Sequence, residues 1–213
     1  MSADRAADVA LVLFAAGVVT TFGVRTWVHR RRTGASGFSG ISGPAWSGGW
    51  WGGVLFVAAL LSAAVGLMLA SIAVVPSGPG VPGALRWTGL AVSVAGFAVT
   101  LAAQGGMGTS WRIGVDASER TALVTTGLFG VVRNPIFTAM CAAVAGLTVM
   151  VPTPLTVAAL VCLVTAVQLQ VRVVEEPYLS ATHGQAYSAY TARVGRFVPA
   201  VGRTHAVARE GMR

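Results

Sequence analysis

Five apolar runs, at residues 9–24, 50–75, 84–103, 135–151 and 155–171, leave this chain little choice of fold. In hydrocarbon every backbone N–H and C=O must be paired within the protein, which restricts spanning segments to helices or a closed barrel. Runs of 16 to 26 residues without alternation fit helices, which need about 20 residues to cross a bilayer. Only 10% of the 213 residues are charged and the mean hydropathy is +0.71, against about 25% charged in a soluble domain. The expected class is therefore an all-α integral membrane protein of five transmembrane helices with a cytoplasmic C-terminal helical segment. Its length suits one compact bundle. The first two spans and their loops fill residues 1–83, a core with three spans fills 84–199, and 200–213 is a flexible basic tail.

The connections give the orientation. All 15 basic residues are arginines. With the N-terminus outside, 13 of them fall on the inner side and only Arg5 and Arg86 outside, which satisfies the positive-inside rule. This gives an N-out, C-in protein of a plasma membrane, and the absence of lysine amid abundant Ala, Val and Gly suggests a GC-rich bacterial source. The net charge of +8 flanks apolar runs, so orientation and anionic headgroups explain it better than nucleic acid does. An acidic leading side and arginines on the trailing flank argue against reading the first run as a signal peptide. Residues 29–49, rich in Gly and Ser, read as a flexible loop, 76–83 as a tight turn, GGMG at 105–108 as a helix end, and 111–133 as the longest polar connection. Cys141 and Cys162 lie inside apolar runs and the three histidines share no ligand spacing, so no disulfide framework or metal site is expected.

Two polar clusters stand out against this background. GLFGVVRNPIF at 127–137 runs from a glycine-led turn into Asn134-Pro135, where Asn suits an N-cap and Pro the first helical position. A helix starting at Pro135 would gather Arg133 and unpaired backbone N–H groups at its mouth, a place suited to an anion. A capped helix with a flanking positive charge is the plainer reading. In the second cluster Gln168, Arg172 and Glu176 are four apart and stack on one face, with Glu175 beside them. Arg172 can pair with either glutamate, and Pro177 is expected to kink or stop the helix. A solvated helix end is again the plain alternative, yet ionisable residues at membrane depth usually face a bundle interior or a wet cavity. Because the last two spans form a hairpin, the donor-rich mouth at 133–135 faces the acceptor-rich end at 172–176. A zwitterionic ligand fits between them. On the fourth span Ala139, Ala142, Ala143 and Gly146 form a small-residue face that permits close helix approach.

LVTTGLFGVVRNPIF at 123–137 and RVVEEPYLSATHGQAYSAYTARVGRFVP at 172–199 together resemble the isoprenylcysteine carboxyl methyltransferase family of membrane enzymes, and more loosely the phospholipid methyltransferases. The likeness covers roughly residues 84–199. It implies methyl transfer dependent on S-adenosylmethionine bound at the cytoplasmic side, with a lipophilic acceptor entering from the bilayer. Carried onto this chain, it assigns the cofactor to Leu123, Val124, Gly127, Phe129, Arg133, Asn134, Pro135, Phe137, Glu175, Glu176 and Tyr178. It assigns the substrate to Trp111, Arg172, Tyr187, Tyr190 and Arg196, with Arg172, Glu175 and Glu176 at the catalytic centre. Asn134 stands where the family more often has His, and Leu128 where Pro is usual; Asn does not titrate near neutrality. The expected reaction is O-methylation of the carboxylate of a lipophilic small molecule, since an ionised carboxylate needs no general base. The alternatives are N-methylation of a phospholipid or other amine, with a glutamate as base, and a small transporter or scaffold that shares none of this chemistry.

Overall fold

The computed structural model describes residues 1–34, 40–41, 43–78, 80–108 and 122–204. Among them the regular secondary structure is helical, with one isolated parallel bridge between Val132 and Gly195. The helices are α1 (Ala3–Val18), α2 (Arg25–Thr33), α3 (Gly48–Ser71), α4 (Gly83–Gly106), α5 (Pro135–Met150), α6 (Pro154–Leu169) and α7 (Glu176–Arg193). Two widened π-helical turns, Val19–Val24 and Gln170–Glu175, join α1 to α2 and α6 to α7 without a break. Four continuous helices, Ala3–Thr33, Gly48–Ser71, Gly83–Gly106 and Pro154–Arg193, are long and apolar enough to cross a membrane, and Pro135–Met150 is a shorter apolar helix.

The boundaries differ from the sequence reading in instructive ways. The first helix runs through Arg30–Arg32 to Thr33 before a left-handed Gly34 ends it, so residues 29–33, expected in a loop, are helical. A helix-end carbonyl attracts cations, so three arginines in the last turn favour that extension. The chain does not stop or break at Pro177. The widened turn at Gln170–Glu175 comes just before it, and the helix runs on through Pro177. The kink comes later, at Gly184, whose φ of 49° and ψ of −120° fold α7 into two arms. Residues 111–121 of the polar connection at 111–133, Trp111 included, and the tail from 205 lie outside the described residues.

α5 packs chiefly along α4 and α6 along α3, while α5 and α6, although consecutive, touch less. The small-residue face of α5 explains the first pairing. Ala139, Ala143 and Gly146 are buried against Gly89, Ser93 and Gly96 of α4. A Cβ on Gly96 would stand 2.7 Å from the Ala139 carbonyl oxygen, and one on Gly89 2.6 Å from that of Gly146. Backbones can meet this closely only where side chains are absent. Ser93 Oγ donates across the seam to the Ala143 carbonyl at 3.0 Å. At the end remote from the polar clusters, Arg86 is buried and donates to the carbonyls of Met150, Ser77 and Gly78, so it closes the C-terminus of α5 rather than facing headgroups. An apolar core of Ala6, Ala10, Phe14, Leu67, Leu147 and Met150 fills the bundle there. The ends of α4 and α6 and the start of α5 lie together at the other end of the bundle, and the polar clusters meet there.

Candidate active site

The turn before α5 is built by the C-terminal strap that follows α7. The Arg133 and Asn134 N–H groups donate to the carbonyls of Gly195 (2.8 Å) and Arg196 (3.1 Å). Asn134 Nδ2 donates to the same Arg196 carbonyl at 3.1 Å, and no side-chain cap forms on the helix. This corrects the expectation of a capping asparagine and of free donors at the mouth. Two of those donors are committed to the strap, because a short parallel bridge satisfies them where water would otherwise have to reach. α5 does begin at Pro135. Tyr190 Oη donates to the Phe129 carbonyl at 2.6 Å and ties the 3₁₀ turn Gly127–Gly130 to the second arm of α7.

One buried charge network lies between these parts. The Glu176 carboxylate takes a bidentate fork from Arg196, with Nε at 2.7 Å and Nη2 at 2.8 Å, and a third contact from Arg133 Nη2 at 3.0 Å. The fork raises the pKa of Arg196, because the carboxylate stabilises its charged form. Arg133 Nη2 also donates to the Gly202 carbonyl at 2.9 Å. The Arg133 side chain is only 3% exposed, and its Nε and Nη1 have no hydrogen-bond partner among the described residues. Two such buried, unpaired guanidinium N–H groups are costly unless a further acceptor completes them. Glu175, in contrast, is reached by no arginine among the described residues.

These groups line a cavity of about 160 Å³. Of the residues expected to hold a cofactor, Leu123, Val124, Phe129, Arg133, Asn134, Pro135, Phe137, Glu175 and Glu176 lie in its wall together. Gly127 stands just outside with a left-handed φ of 60°, and Tyr178 is not in the lining. Of those assigned to the substrate, Tyr187 and Tyr190 line the same cavity, while Arg196 backs it through Glu176. Arg172 does not pair with either glutamate. Its Nε donates to Gln168 at 2.7 Å, because the widened turn advances each residue by less than an α-helical step and carries Glu176 off the Gln168–Arg172 face. Sequence reasoning passed over Met107, Ala122, Ile136 and Leu179, which complete the lining. Leu179 had a signal, lying three residues beyond Glu176 on one helical face. Met107 and Ala122 had none, since they flank the connection that leads away from α4.

The arrangement offers cationic donors on one wall, a carboxylate with no arginine on it among the described residues on another, and the rings of Phe129, Phe137, Tyr187 and Tyr190 between them. It suits a ligand that carries both a carboxylate and a cationic centre. Residues 85–186 match the family model described as phospholipid methyltransferase. No curated protein matches the chain. The matched segment contains α5, α6, both glutamates and most of the cavity wall, and the strap that holds Arg133, Asn134 and Glu176 lies beyond it. The cleft-building segment is thus similar to the phospholipid methyltransferases, a family related to the isoprenylcysteine carboxyl methyltransferases and one that implies a membrane methyltransferase.

Proposed function

We propose that the cavity binds S-adenosylmethionine and that the protein transfers its methyl group to the carboxylate of a lipophilic small molecule. The observation that carries the cofactor assignment is the buried Arg133 guanidinium with two unpaired nitrogens, in one cavity with Glu175, a carboxylate that no arginine reaches among the described residues. Arg133 is placed to take the carboxylate of the methionine moiety and Glu175 its ammonium group, while Glu176 holds Arg133 and Arg196 in position. When bound, the cofactor supplies an electrophilic methyl group on a sulfonium. The aromatic faces of Phe129, Phe137 and Tyr187 favour that cationic centre. Methyltransferases of the matching family generally use this cofactor.

For the acceptor, a carboxylate is ionised at neutral pH and needs no base. That agrees with a site in which Glu176 is already satisfied by two arginines and Glu175 is engaged by the cofactor. The chain then contributes alignment and exclusion of water. A second reading, N-methylation of a phospholipid or other amine, is favoured by the description of the family and by Glu175, the one cavity carboxylate available to accept a proton. The membrane arrangement we propose is five spans with α5 among them, and with the cavity, α7 and the strap on the cytoplasmic side.

The test is transfer of labelled methyl from S-adenosylmethionine into lipid extracts of membranes containing the protein. Label above that of the Glu175→Gln variant is expected. Base-labile label released as methanol marks an ester, and base-stable label an N-methyl product. No label over the variant with any extract would sink the proposal.

A further inference from the structure

A second recess, of about 410 Å³, lies on the other side of the Arg133–Glu176 bridge, between the two arms of α7. Arg133, Glu176 and Tyr187 form the partition and contribute to both hollows. The wall is otherwise Arg172, Pro177, Ser180, Ser188, Thr191 and Thr204. Its charge balance is one-sided. Among the described residues Glu176 is the sole acid in the lining, and it is shared by Arg196, through the bidentate fork, and by Arg133 at 3.0 Å. Two guanidinium charges thus face one carboxylate, and Arg172 adds a third charge whose own partner is the neutral amide of Gln168. Ser180 and Ser188 add exposed hydroxyls, whereas the Thr191 and Thr204 hydroxyls bond each other at 2.6 Å. Guanidinium groups flanked by hydroxyls are the chemistry that recognises a phosphate or carboxylate.

We infer that this recess is a binding subsite for a non-reacting oxyanion, the phosphate or carboxylate of an anionic amphiphile held beside the transfer cavity. The Arg133–Glu176 partition separates the group held here from the reacting centre, so the subsite anchors a molecule and does not receive the methyl group. It sits one turn past the apolar part of α6, the level at which a headgroup oxyanion lies when its chains are in the bilayer. The inference rests on the methyltransferase reading only in calling the anchored molecule an acceptor; the binding itself does not depend on it.

The test uses the full-length protein in detergent without cofactor, equilibrated with equal amounts of phosphatidic acid and phosphatidylcholine of identical chains. Retained lipid is counted by native mass spectrometry. The wild-type protein is expected to favour phosphatidic acid at least about fivefold, a bias of about 1 kcal/mol. Arg172→Gln and Ser188→Asp, both at exposed positions, should bring the ratio close to one. Arg193→Gln, an exposed arginine outside the recess, should leave it unchanged. Added inorganic phosphate distinguishes the sources: displacement of the lipid shows a subsite open to free oxyanions, and no displacement shows one that needs the lipid-borne group. Equal loss in Arg193→Gln and Arg172→Gln, or no preference in the wild type, overturns the subsite, because diffuse surface charge then accounts for the result. Preserved selectivity with no methyl transfer would instead remove the catalytic reading and leave the recess standing.

Discussion

Glu175 and Glu176 are neighbours in sequence with opposite duties. Glu176 is surrounded by three guanidinium contacts and fixes the strap to the start of α5, while Glu175 faces the cavity without an arginine. Glu176→Gln removes the charge that Arg196 and Arg133 share, and the expected cost is about 1.5–3 kcal/mol of stability. A fall in thermal midpoint together with loss of activity checks it. Glu175→Gln should leave the midpoint nearly unchanged and weaken cofactor binding about tenfold, equivalent to about 1.4 kcal/mol, as read by titration calorimetry. The two effects would be exchanged if the assignment were reversed. Tyr190→Phe leaves the buried Phe129 carbonyl unpaired, at an expected cost of about 1–3 kcal/mol, measurable by the same melts. The sequence showed that Arg133 and the glutamate pair converge, because a helical hairpin forces their ends together. It did not show that the partner of Glu176 is Arg196, twenty residues on, since that pairing depends on how α7 folds back at Gly184.

At the scale of elements, the widened turn at Gln170–Glu175 sets which way both glutamates face. Inserting one alanine after Val173 adds a residue that the already widened turn cannot absorb, so everything after it rotates by about 100°. The expected result is a protein of unchanged helix content by circular dichroism with no cofactor binding. Full binding by the insertion variant would show that the turn does not matter. The α4–α5 seam is the other element that positions the site, because it holds the start of α5. Gly96→Leu would drive a side chain into the backbone of Ala139 and Ala143, and overpacking of that kind costs about 1–3 kcal/mol. Early aggregation in a detergent thermal ramp checks it. The small-residue stripe of α5 was legible from spacing alone. Its partner was not, since adjacency along the chain favours α6 and only the matching glycines and serine of α4 reverse that preference. The widened turns were also invisible, because no residue type marks them.

For the whole molecule, the apolar runs, the helical class and the shared end of the two clusters followed from hydropathy and helix direction. The strap did not, because its bonds are made by the backbone carbonyls of Gly195, Arg196 and Gly202, which carry no side-chain signature. The arginine distribution predicts that a cysteine at Thr204 in inside-out vesicles reacts with an impermeant maleimide, and that one at Ser2 does not. The reverse pattern would invert the topology proposed. Since the strap lies after the last apolar helix and yet supplies the contacts that hold Arg133, Asn134 and Glu176, synthesis order has a bearing on the proposed site. A nascent chain that has inserted everything up to Arg193 has all its apolar helices and an Arg133–Glu176 pair with nothing behind it. On the reading proposed, competence arrives only with Gly195 to Gly202, after the last helix has gone in.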